Sequence, residues 1–190
     1  MQRRQALFLA GYDSTSFNNY ARRDQLPVIA GNAEDNGSRY TNYSLDDAWR
    51  LRLHRDLIGN EPQSGVCGEC GVSPAGAKAI VGNALSHSDG PLSIGDAFHA
   101  PTDIWIGVIV YQETYGPDPI RFTEWFKGEM AGVNDQITNA LTKHSADYPR
   151  STLEPVRIVT VNASRAARFV VQRAREFHLP EISEIEVARK

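Results

Sequence analysis

Two cysteines in 190 residues are too few for a disulfide framework. Cys67 and Cys70 stand C-x-x-C within GNEPQSGVCGECGVS, a linker-like stretch over 59–73. A structural zinc normally takes four protein ligands, and no second C-x-x-C or H-x-x-x-H accompanies the pair. No strand precedes it, as a thioredoxin-like motif requires. Two reduced thiols are expected, with no metal and no cofactor. Long apolar runs are also missing. Nothing approaches the roughly 18 residues of a membrane span, and Leu7–Ala10 is too short for a signal-peptide core. A cytoplasmic protein without membrane contact is expected. No surplus of positive charge exists: 20 Lys and Arg face 23 Asp and Glu, giving net −3 and a pI near 5.9. That argues against indiscriminate nucleic-acid binding. Walker A, dinucleotide, H-E-x-x-H and kinase signatures are all absent. No catalytic residue is assigned, and the chain is not read as an enzyme.

What is present lies mainly between Gln5 and Ile58. Ala6, Leu7, Leu9 and Ala10 suit a short supporting helix, with Gly11-Tyr12 as a turn. Asp13 and Ser14 then supply N-cap oxygens for a second helix through Arg23. Phe17, Tyr20 and Ala21 share one face of it. Thr15, Asn18, Asn19 and Arg22 repeat at i, i+3, i+4, i+7 on the opposite face. Such a stripe suits a major groove, because Asn pairs bidentately with adenine, Arg with guanine, and Thr reaches phosphates or a thymine methyl. Leu26-Pro27 ends the helix. Val28–Ala30, the turn-rich GNAEDNGS of 31–38 with its Asn36-Gly37, and Arg39–Tyr43 read as a two-stranded wing. Ser44 caps a long amphipathic helix, and Asp47 completes a capping box with Asp in place of Glu. Leu45, Trp49, Leu53 and Leu57 fall on one side of that helix. Helix, turn, polar helix, wing and long helix is the order of a winged helix-turn-helix.

Three stretches carry a resemblance: Ser16-Phe17-Asn18-Asn19-Tyr20, Leu26-Pro27, and Tyr43-Ser44-Leu45-Asp46-Asp47-Ala48-Trp49-Arg50-Leu51. Together they resemble the DNA-binding domain of the MerR family, including its excisionase-like and phage-borne relatives. The likeness covers under a third of the chain. Asp24-Gln25-Leu26 stands where the family usually has Gly-Leu-Leu, and Thr41 stands where it has its wing arginine, with Arg39 the nearest substitute. The resemblance implies a recognition helix, a wing and double-stranded DNA as partner. No sustained heptad follows, so the dimerising coiled coil and effector chemistry of metal- and drug-responsive members are not carried over.

Beyond residue 58 the sequence speaks less clearly. Ser73-Pro74 is an N-cap with proline at the first helical position, and Ala75–Leu85 continues as a helix of small and apolar residues. Residues 86–101 read as a second linker. Thr102–Gln112 reads as a buried strand, and Thr123–Leu141 as a helix carrying Glu124 and Glu129. Val156–Val161 reads as another strand, Asn162–Ser164 as the cap of a helix running to about His178, and Ile182, Ile185 and Val187 as a last short strand. His99, His144 and His178 look isolated.

The whole reads as an α+β chain. An N-terminal winged helix-turn-helix over 1–58 precedes a linker over 59–100 with one helix at about 74–86. A small mixed α/β domain for dimerisation or sensing follows over 101–190. The expected function is sequence-specific, DNA-binding transcriptional regulation by a homodimer, a repressor rather than an activator. Thr15, Asn18, Asn19 and Arg22 would read bases. Ser14, Arg23, Arg39 and Tyr40 would hold the backbone. The alternatives are a phage-type architectural DNA-binding protein, and a thiol, metal or enzymatic protein with a DNA-binding tether. Residues 1–58 carry eight Arg against seven acidic residues, and the acidic surplus lies beyond them. One copy of so modest a patch would bind weakly, which favours two copies on two half-sites. No small-molecule effector is assigned.

Overall fold

A helix shared by two hydrophobic cores runs from Leu45 to Ile58. The computed structural model describes residues 1–28, 42–58, 71–87, 90–115, 118–180 and 182–187. In chain order these form α1 (Arg3–Ala10), α2 (Ser14–Arg22), α3 (Leu45–Ile58), α4 (Pro74–Ser86), α5 (Ile94–His99), β1 (Trp105–Thr114), β2 (Ile120–Gly128), α6 (Met130–Asp147), β3 (Thr152–Asn162), α7 (Ala163–Glu176) and α8 (Ile182–Val187). The fold is mixed α+β. None of the described helices is long and apolar enough to cross a membrane.

The strands make one antiparallel sheet in the order β2-β1-β3. Alternation along β1 gives the sheet two apolar faces. Ile106 and Val108, with Val159 and Val161 of β3, join the largest core, built with α3, α4, α5 and α7. Ile109 and Tyr111 point the other way and meet Phe126 of β2 and Val133 of α6. At Gly107 the strands approach so closely that a β-carbon would lie 2.1 Å from the Val159 carbonyl oxygen.

The large core also draws Leu9 from α1 and Ile182 and Ile185 from α8. Residues on both sides of positions 58 and 100 thus contribute to this core. α7 makes this packing close with small residues: Ala163, Ala166, Ala167 and Ala174 are all buried beside Val170 and Val171. Trp49 is fully buried in α3, and its indole N–H donates to the Ala163 carbonyl at 3.0 Å. That bond satisfies the one polar atom of a large side chain.

Four expectations are corrected. The helix expected over Thr123–Leu141 is two elements, β2 and then α6, separated at Gly128 with φ 156. Glu124 accordingly lies on a strand, and Glu129 is the N-cap residue of α6. Trp125 and Phe126 are adjacent and so fit a helical stripe or opposite faces of a strand; pairing with Val108 and Gly107 selects the strand. The linker over 86–101 contains α5, started by a Ser93–Asp96 capping box. The last short strand is α8, a helix. Finally, the simple alternation of strand and helix is replaced by the β1–β2 hairpin, α6, β3, α7 and α8.

Candidate nucleic-acid interface

α1 ends because Gly11 turns the backbone left-handed, at φ 65. Its N–H donates to the Phe8 carbonyl at 3.0 Å, and the next N–H, of Tyr12, donates to the Leu7 carbonyl at 2.8 Å. This closes α1 and redirects the chain within two residues. Asp13 then starts α2, one carboxylate oxygen accepting from the N–H groups of Thr15 at 2.9 Å and Ser16 at 2.8 Å. The Ser16 N–H above all holds the Asp13 carboxyl below its ordinary pKa, so the cap stays charged.

Aromatic packing fixes the angle at which α2 is presented. Phe17 is buried against Tyr12 and Tyr43, both edge-on. Tyr12 also meets Tyr20 edge-on and stacks over the fully buried His54 ring of α3. The Tyr12 hydroxyl lies 2.9 Å from His54 Nδ1, and His54 Nε2 lies 3.0 Å from the Pro74 carbonyl of α4. A carbonyl can only accept, so Nε2 carries the proton and Nδ1 accepts from Tyr12. Burial holds the imidazole below its ordinary pKa and pushes the Tyr12 phenol up, which keeps both neutral. At the far end, Asp24 pairs with Lys78 of α4 at 2.8 Å, and the same ammonium donates to the Asp24 carbonyl at 2.9 Å.

This frame leaves Thr15, Asn18, Asn19 and Arg22 together on the exposed side of α2, with Ser14 and Arg23 exposed at its ends. Asn18 is already engaged: its side-chain carbonyl accepts from Arg3, whose guanidinium lies 4.6 Å from the centre of the Phe17 ring. Reading adenine with both amide atoms would require Arg3 to move. Arg39 and Tyr40 lie outside the described residues, as do the wing turn over 31–38 and the pair Cys67 and Cys70. The capping box expected at the start of α3 is present. Ser44 N–H donates to Asp47 at 2.8 Å, and Asp47 N–H donates to the Ser44 hydroxyl at 3.0 Å.

Two groupings went unseen in the sequence. Arg52 and Arg55 of α3 and Arg173 of α7 crowd the turn at Gly11. Arg52 and Arg55 are three apart on one helix, so their proximity was readable; Arg173 comes from the other end of the chain and gives no local signal. The second grouping corrects the expectation that His144 is isolated. His144 Nε2 lies 3.1 Å from the Ser151 hydroxyl, which donates to Glu113 at 2.8 Å. The same His144 Nε2 lies 3.6 Å from Glu113 Oε1, so one ring nitrogen faces both groups and the order serine–imidazole–carboxylate needed for a proton relay is not made. The cluster ties together the ends of β1, α6 and β3. Among the described residues no group of three His, Cys, Asp or Glu is placed to hold a metal ion.

Comparison of the chain with protein-family models, with curated proteins and with solved structures finds no match in any of the three.

Proposed function

We propose that the chain is a sequence-specific DNA-binding protein, a winged helix-turn-helix regulator that lays α2 in the major groove. One observation carries this reading: a capped helix, locked from behind by aromatic packing, offers Thr15, Asn18, Asn19 and Arg22 on a single open side. Rigid presentation matters because base readout depends on bidentate geometry. Arg22 would read guanine, Asn19 adenine, and Thr15 a thymine methyl or a phosphate. Ser14 and Arg23, with Arg39 and Tyr40, would hold the backbone on either side. The protein would act as a homodimer on two half-sites about 34 Å apart or a multiple of that. Occupying a promoter needs no further surface, so repression is the simplest regulatory outcome.

Selection of bound genomic fragments at near-physiological salt, beside Arg22→Ala, tests the proposal. A few palindromic sites are expected. Arg22→Ala should weaken them by about 1–3 kcal/mol, or roughly 5- to 150-fold, and relax one position. Enrichment of clustered repeats would turn the reading to an architectural role. Absence of enrichment in the unaltered protein would overturn it.

A further inference from the structure

We infer that Arg52, Arg55 and Arg173 form an oxyanion site at the turn between α1 and α2, and that its ligand is a phosphate group. A β-carbon on Gly11 would lie 2.5 Å from Arg55 Nη1, 3.4 Å from Arg52 Nη1 and 3.5 Å from Arg173 Nη1. No two of these nitrogens are therefore more than about 7 Å apart, a range at which like charges repel appreciably near a protein surface. Gly11 is what lets them converge, since any side chain there would meet the Arg55 guanidinium.

Among the described residues, neutralisation of the three charges is incomplete. Asp56 pairs with Arg52 at 2.9 Å and cancels one charge. Arg173 donates to the Phe8 carbonyl at 2.5 Å and lies over the Phe8 and Phe169 rings, at 4.7 and 4.6 Å. Arg52 lies over Phe169 at 3.9 Å. These contacts fix two guanidinium planes without adding a second negative charge. Arg55 has no acidic partner among the described residues. Two of the carbonyls at the end of α1, those of Leu7 and Phe8, already accept from Tyr12, Gly11 and Arg173. Arg55 instead borders an open cavity of about 270 Å³, shared with Ser16, Tyr20 and Ile58. Asp13 also borders it, its charge tied to the first turn of α2. Three guanidinium groups approaching from two helices suit a tetrahedral anion better than a planar carboxylate, which one arginine fork already satisfies.

The phosphate has two available sources, the DNA backbone beside α2 or a free phosphate ester held where the three arginines meet. The full chain would be melted in about 20 mM inorganic phosphate and in chloride of equal ionic strength, alongside Arg55→Gln and Arg55→Lys. Phosphate should raise the melting temperature of the unaltered protein by roughly 3–6 °C if it binds with a millimolar Kd. Arg55→Gln should lose that response while melting no lower in chloride, since it relieves repulsion, and Arg55→Lys should keep part of it. DNA affinity would then be measured against salt. A slope shallower by about 0.9 in Arg55→Gln assigns the phosphate to the backbone. An unchanged slope with the phosphate response intact assigns it to a free ester. Phosphate stabilisation without any DNA binding would keep this site and remove the role proposed for α2. No phosphate response together with an unchanged slope would overturn the inference.

Discussion

α2 and α3 are separate stretches of the same N-terminal region, and the fold uses them in opposite ways. α2 has nine residues and buries only Phe17; α3 has fourteen and buries eight. α3 serves two interiors, because Leu51 closes the small core beneath α1 and α2 while Trp49, Leu53 and Leu57 enter the large core. It is a wall shared by two interiors. α2 leans on that wall through Phe17 and Tyr20, which meet Tyr12 and His54, and keeps Thr15, Asn19 and Arg22 exposed. An exposed polar helix of nine residues would not hold its shape alone. Its rigidity is borrowed, and changes in the wall should therefore cost stability, whereas changes on the open side should cost recognition.

The largest effect expected from this contrast is at Trp49. Trp49→Ala removes a fully buried ring and its bond to the Ala163 carbonyl, and should lower unfolding free energy by about 3–5 kcal/mol. Urea denaturation followed by circular dichroism would measure it. A loss below about 1 kcal/mol would show that α3 is not the common wall.

A smaller effect is tied to pH. Burial keeps the folded imidazole of His54 below its unfolded pKa, so the unfolded chain binds the extra proton first. The contribution is fully present above about pH 6.5 and is lost as pH falls from there toward the folded value. Stability curves at pH 7.5 and pH 5.5 should diverge more for the unaltered protein than for His54→Gln. Equal divergence would remove His54 as the link from the turn to α4. The smallest stability change belongs to the open side. Asn19→Ala should alter unfolding free energy by no more than about 0.5 kcal/mol, yet weaken a selected DNA site by about 1–3 kcal/mol. A stability loss as large as that of Trp49→Ala would erase the contrast between the two helices.

Much of this was legible where residues act on near neighbours. Asp13 before α2, Ser44 with Asp47 before α3, Ser73-Pro74 before α4 and Asn162 before α7 announce helix starts within three or four residues. The same kind of signal was present at Ser93 and Asp96 but sat in a stretch too short and polar to be read as a helix. The polar stripe of α2 was equally local, a matter of spacing. The engagement of Asn18 by Arg3 was not, because it depends on how α1 crosses Phe17.

By itself, then, the chain determined the helices with strong caps, the run of β1 and the side of α2 that carries Thr15, Asn18, Asn19 and Arg22, since each follows from interactions along a few residues of backbone. Tertiary structure decided what distant segments do to one another. β2 is a strand because β1 offers it hydrogen bonds, and α3 buries eight of its fourteen residues because α1, α4 and α7 pack on it. Arg173 stands beside Gly11 only because α7 packs back onto α1. No local propensity encodes such meetings; they arise when apolar faces scattered along the chain leave water together.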